Sequence, residues 1–178
     1  MRFTLKTCWL CLGVLLWTLA LQSSARAGDC DAVTLQPVKP LQFGTVGMGT
    51  RRHGWIVLDP SGGFAASNEV ALLGKTPPSP GLVRVVAPPG SVILLHTAVR
   101  SYVDAAYGVT LSGIGLGFRG RPLEKSADFW VLRMPDSAST APLNVDLSIG
   151  GLLNFQIGER IPATQFFVAL DCVGYQPR

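Results

Sequence analysis

The chain reads as all-β, an antiparallel sandwich, on three observations. Short runs rich in Val, Ile, Leu, Phe and Thr recur between turn residues, and its 20 glycines and 13 prolines are spread rather than massed. That spacing marks many strands joined by turns. One run alternates apolar and polar residues without a fault, the period of a half-buried strand. No window of ten or more residues carries a helical period with caps. Ten or so strands without crossover helices between them stack as antiparallel sheets.

Taken in order, the first element is a leader. Arg2 and Lys6 precede an uncharged apolar run of fourteen residues, Cys8 to Leu21, and Ala25-Arg26-Ala27 places small side chains where a signal peptidase reads. This order of basic, apolar and small is that of a secretory signal peptide over residues 1–27. The run falls short of the about 20 residues that span a bilayer, and an uncleaved anchor is the alternative. A single domain over 28–178 then starts at Gly28, beyond the cytoplasmic membrane.

Leu41 to Val46 is the first strand and leads into a loop at Gly47 and Gly49. His53 to Leu58 follows, ended by Asp59-Pro60-Ser61-Gly62-Gly63, a strong turn signal. Glu69 to Leu73 is short, broken by Gly74 and Pro77-Pro78-Ser79-Pro80. Leu82 to Ala87 and Ser91 to Thr97 flank Pro88-Pro89-Gly90 and read as a hairpin. Tyr107 to Leu111 and Phe129 to Met134 are further strands, and Asp136 to Pro142 is a polar loop. Leu143 to Ile149 is the faultless alternation, one face buried and the other wet. A helix would scatter its four aliphatic residues around the axis. Gly150-Gly151 interrupts it as a bulge or turn, and Leu152 to Ile157 continues. Gln165 to Tyr175 reads as one long closing strand, with Phe166, Val168, Leu170 and Cys172 on one side.

Beyond the leader lie 151 residues, carrying 12 basic and 11 acidic side chains for a net charge of +1. That length is one domain and buries a core without a metal. No basic stripe remains to recommend nucleic acid; Arg51-Arg52 and Arg119/Arg121 read as solvated local pairs. No apolar run of about 20 residues follows the leader, so no integral membrane helix is expected in the mature chain. Cys8 and Cys11 leave with the leader, which reduces four cysteines to Cys30 and Cys172. In an oxidising compartment these most simply pair. The bond would close a loop of about 142 residues, a stabilisation of roughly 5 kcal/mol by chain entropy. Two free or intermolecular thiols are the alternative. The paired ligand spacing of a zinc site is missing.

Gly115-Leu116-Gly117-Phe118-Arg119-Gly120 matches G-x-G-x-x-G to the letter, and Asp136 falls about 20 residues on, as a dinucleotide fingerprint would want. Arg121-Pro122 follows where a helix N-terminus should cradle the phosphate. The segment reads instead as a glycine-rich connection where backbones pack closely, and no cofactor is expected. His53 and His96 sit in different strands without a G-x-S-x-G elbow or a cysteine partner, and read as strand-end histidines. No catalytic residue and no metal ligand is nominated. Trp55, Phe64, Tyr102, Tyr107, Phe118 and Trp130 are the aromatics available to stack on glycans. Trp55 and Trp130 lie inside apolar strands and read as core anchors. Phe64 and Tyr102, placed in loops, are the candidates for surface contact.

Several segments together resemble one family, the bacterial secreted domain of unknown function 4402. Leu41-Gln42-Phe43-Gly44-Thr45-Val46 resembles its opening L-x-F-G motif. Gly54 to Gly63 (GWIVLDPSGG) resembles its next strand and D-P-x-G-G turn. Val70-Ala71-Leu72-Leu73-Gly74 resembles its short L-G-G-type strand, and Leu147 to Leu153 (LSIGGLL) its late V-G-G-x-L motif. Ala163 to Tyr175 falls where that family has its closing strand, but with Ala163-Thr164-Gln165-Phe166-Phe167 in place of the usual glycine and tyrosine. Cys172 and the stretch from Gly108 to Gly120 also depart from the pattern. The resemblance implies an exported, immunoglobulin-like or pilin-like β-sandwich of no settled activity, akin to spore coat protein U and fimbrial subunits.

The expectation is therefore a secreted, non-catalytic subunit of a cell surface or fimbria-like structure, with itself or other surface subunits as partners. A monomeric periplasmic or extracellular polysaccharide-binding module is the alternative. Fimbrial subunits often donate an extended strand to a neighbour. Here Gly28 and Asp29 alone would precede Cys30, and a Cys30–Cys172 bond would tie that end to its own domain.

Overall fold

The computed structural model describes residues 30–48, 53–68, 70–73, 76–97, 102–104, 108–155 and 160–178, with backbone alone at 48, 102–104 and 160–164. The leader over 1–27, Arg51-Arg52 and Tyr107 lie outside the described residues.

The described chain is nearly all strand, after one 3₁₀ turn at Cys30–Ala32. In order the strands are β1 (Thr34–Lys39), β2 (Leu41–Met48), β3 (Gly54–Leu58), β4 (Phe64–Ala66), β5 (Val70–Leu73), β6 (Gly81–Ala87), β7 (Val92–Thr97), β8 (Tyr102–Asp104), β9 (Val109–Phe118), β10 (Arg121–Pro122), β11 (Glu124–Ser126), β12 (Phe129–Arg133), β13 (Leu143–Phe155), β14 (Arg160–Phe166) and β15 (Leu170–Gln176). They form three antiparallel sheets: eight strands built around β13, four in the order β11-β12-β7-β15, and three in the order β14-β2-β5. The buried faces of all three share one core, so the fold is the expected all-β sandwich.

The alternation of Leu143 to Ile149 explains why β13 is central. Val145, Leu147 and Ile149 are buried while Asn144 and Asp146 face water. Its first half pairs with β6 and its second half with β3, on the same side, while β9 runs along the other. The strand passes straight through Gly150-Gly151, with a bulge in the β9 ladder between Gly150 and Leu152. The Asp59–Gly63 turn closes as expected: Gly62 N–H donates to the Asp59 carbonyl at 2.9 Å, and Ser61 N–H to the Asp59 carboxylate at 2.7 Å.

Two expectations about connections are overturned. Leu82–Ala87 and Ser91–Thr97 are not a hairpin: β6 lies in the eight-stranded sheet and β7 in the four-stranded one. Pro88-Pro89-Gly90 carries the chain between sheets, and the Ser91 hydroxyl secures the bend by donating to the Pro88 carbonyl at 2.7 Å. Nor is 165–175 one strand. Its alternation holds, with Phe166, Val168 and Leu170 buried, but β14 pairs with β2 and β15 with β7, so residues 167–169 cross from one sheet to another. Phe166 meets Phe43 of β2 edge-on, ring centroids 6.0 Å apart, a favourable geometry for the two ring quadrupoles.

Cys30 and Cys172 are bonded, Cα atoms 6.0 Å apart, joining the turn before β1 to β15. Because β1 edges the large sheet and β15 edges the four-stranded one, the bond staples two layers.

Candidate functional site

A β-strand offers alternate residues to opposite faces. In β3, Ile56 and Leu58 go to the core, which sends Trp55 and Val57 outward. Trp55 is 41% exposed and Val57 39%. The reading of Trp55 as a core anchor is thus overturned: Ile56 and Leu58 occupy the inward parity that Trp55 would need. Trp130 does anchor the core, 4% exposed, with the Lys125 ammonium 4.8 Å from its ring centroid.

The strand register builds a face around Trp55. Asn154 of β13 lies opposite Trp55, and Thr110 of β9 opposite Asn154. In the next outward row Ala65, Val57, Leu152 and Ser112 follow one another across β4, β3, β13 and β9. The Asn154 amide donates to the Ser112 hydroxyl at 3.4 Å. Ser67 clamps the Trp55 backbone on both sides, its hydroxyl accepting from Trp55 N–H at 3.3 Å and its own N–H donating to the Trp55 carbonyl at 3.0 Å. One indole, one amide, two hydroxyls and three aliphatic side chains thus share a sheet surface, and none of these described residues is charged.

The G-x-G-x-x-G segment borders this face and is strand and turn, leading into β10 rather than into a helix. Gly115 and Gly117 lie inside β9, and Arg119-Gly120, both with positive φ, form the two-residue turn to β10. Two positive φ angles in succession make the hairpin turn that glycine favours. The room left by the missing side chains is filled by a proline. A Cβ at Gly117 would stand 2.8 Å from Pro60 Cβ, and one at Gly150 would stand 2.7 Å from Pro60 Cδ. The close-packing reading of these glycines holds, and Pro60 is what packs there.

A cleft of about 210 Å³ opens beside Trp130, lined by His96, Thr97, Gly113, Lys125 and Asp128. It brings a histidine and a carboxylate together, though His96 alternates with the buried Leu95 that faces Trp130, so imidazole and indole take opposite faces of the sheet. The His96 ring packs instead near Phe129, centroids 6.1 Å apart. His53 is exposed just ahead of β3. Among the described residues no group of three or more His, Cys, Asp or Glu is placed to hold a metal.

The two aromatics nominated for surface contact sit in short strands rather than loops. Phe64 opens β4, paired with Leu58, hence on the core-side face of the large sheet and 43% exposed at its edge. It shares no face with Trp55. Tyr102 opens β8, its backbone paired with Leu111. A second apolar feature escaped the sequence reading: a groove of about 190 Å³ between β1 and the 167–169 crossing, lined by Leu35, Pro37, Val83, Val168 and Leu170 with Phe167, which is 69% exposed. Its signal was the adjacent pair Phe166-Phe167, of which only one can point inward. Compared with known proteins, the chain matches no family model, no curated protein and no solved structure.

Proposed function

We propose that this protein is an exported, non-catalytic β-sandwich that serves as a structural or adhesive subunit at the cell surface. The observation that carries this reading is the Cys30–Cys172 bond between the two sheet edges. Such bonds persist in oxidising compartments. No helix among the described residues is long and apolar enough to cross a membrane, which agrees with a subunit held by protein contacts. The bond also ties the segment at Cys30 to its own β15, so assembly would run through a side surface rather than through a donated N-terminal strand. The groove beside Phe167 is such a surface.

Cell fractionation with size-exclusion chromatography and electron microscopy tests the reading. The expected result is an exported, oxidised protein that self-associates, and whose association Phe167→Ser weakens. A reduced cytosolic protein, or a monomer at every concentration, overturns it. The second reading, a monomeric polysaccharide-binding module, is favoured by one observation: the exposed indole of Trp55 beside Asn154, Ser112 and Thr110.

A further inference from the structure

We infer that the outward face of β3, β13 and β9 is a binding surface for an uncharged polysaccharide chain, with Trp55 as its stacking anchor. This deepens the second reading and rests on it. Single exposed apolar residues are ordinary, but contiguous ones mark contact sites. Here Trp55 and Val57 stand on one strand, with Leu152 paired beside Val57. Tryptophan supplies the largest apolar contact with a polar handle, and is enriched in contact sites for that reason.

The rest of the face specifies the ligand's chemistry. Asn154, Thr110 and Ser112 provide one amide and two hydroxyls, groups that both donate and accept. That repertoire answers the hydroxyls of a sugar, while the indole answers the C–H face of its ring. Among the described residues of the two rows no side chain is charged. The ion pair on the outward side of the same sheet, Arg84 with Asp146, lies at the far end of β13 and is already satisfied, Nε donating at 2.8 Å. An acidic polymer would find no cation among these groups, which argues for an uncharged one. Trp55, Asn154 and Thr110 lie on three adjacent strands and so cover roughly 10 Å at ordinary strand spacing. A chain laid across the strands matches that span better than a single sugar ring. The cleft at Lys125 and Asp128 differs in being lined by charged groups.

The test uses the whole protein against soluble glucan, mannan, xylan and N-acetylglucosamine oligomers, with polygalacturonate and dextran sulfate as acidic counterparts. Affinity electrophoresis and calorimetry read the binding. Expected is binding to at least one uncharged polymer, insensitive to added salt. Trp55→Ala should weaken it at least about tenfold, the loss typical of a truncated anchor. Trp55→Phe should retain part of it, and Phe64→Ala, on the other face, should leave it unchanged. Thermal melts of each variant show that the fold persists. If Trp55→Ala binds like the wild type while Lys125→Ala does not, the site proposed here fails although the polysaccharide reading stands. If only the acidic polymers bind, in a salt-sensitive way, the inference fails while the polysaccharide reading stands; if no polymer binds, both fail. A dimer dispersed by Trp55→Ala, without glycan binding, makes the face a contact between copies and overturns the inference.

Discussion

A Cβ at position 150 would collide with the Leu58 carbonyl oxygen and stand 2.7 Å from the Pro60 nitrogen. Both are backbone or ring atoms with little freedom to yield, and Leu58 is itself paired to Gly151. Gly150→Ala is therefore expected to cost roughly 3 kcal/mol, the upper end of overpacking penalties. Gly63→Ala is the control: its nearest neighbour would be Asp59 Cβ at an ordinary 3.5 Å, so a change within about 0.5 kcal/mol is expected. Denaturant midpoints of the two variants check the pair. The adjacent glycines at 150 and 151 were legible in the sequence as a disturbance of the strand. The purpose of Gly150 was not, because Pro60 is distant in sequence and only folding lays its ring on that glycine.

Neighbouring elements are joined by side chains as well as by backbone. Asp146 of β13 accepts Nε–H at 2.8 Å and Nη2–H at 3.2 Å from Arg84 of β6, its direct cross-strand partner. Those hydrogen bonds hold the Asp146 carboxyl below its ordinary value, against the small opposing effect of burial. The unfolded chain then binds a proton more readily than the folded one. The contribution is present above the unfolded aspartate value, about 3.9, and is lost as pH falls through the lower folded value. Asp146→Asn should be less stable than wild type at neutral pH and should converge with it in acid, as urea unfolding at both pH values would show. The difference should be small, since both side chains are nearly half exposed and screened by water. At this scale the strands that were read correctly are those with alternating aliphatic residues. β1 and β11 went unread because they are edge strands of little burial: Thr34–Lys39 contains Pro37, and Glu124-Lys125-Ser126 is polar throughout. Their strand form comes from hydrogen bonding to β6 and β12, not from a pattern of their own.

For the molecule as a whole, the disulfide links residues 142 apart and joins the edges of two sheets. Replacing both cysteines, Cys30→Ser with Cys172→Ser, should lower unfolding stability by roughly 2–5 kcal/mol, and mass spectrometry of the non-reduced wild type should find the intrachain bond. The pairing was legible from the sequence because, once the leader was set aside, two cysteines were left. Strand parity, the Asp59–Gly63 turn and the sandwich class were legible too, since each depends on the chemistry of neighbouring residues. Which strand pairs with which was not. Pro88-Pro89-Gly90 bends the chain equally well within a sheet or between two, and the choice rests on the distant partners β13 and β12. The same holds for Trp55: Trp55-Val57 and Ile56-Leu58 are both apolar sets, and alternation names two faces without saying which is inside. Only the packing of Ile56 and Leu58 into the common core decided that the indole should meet the solvent.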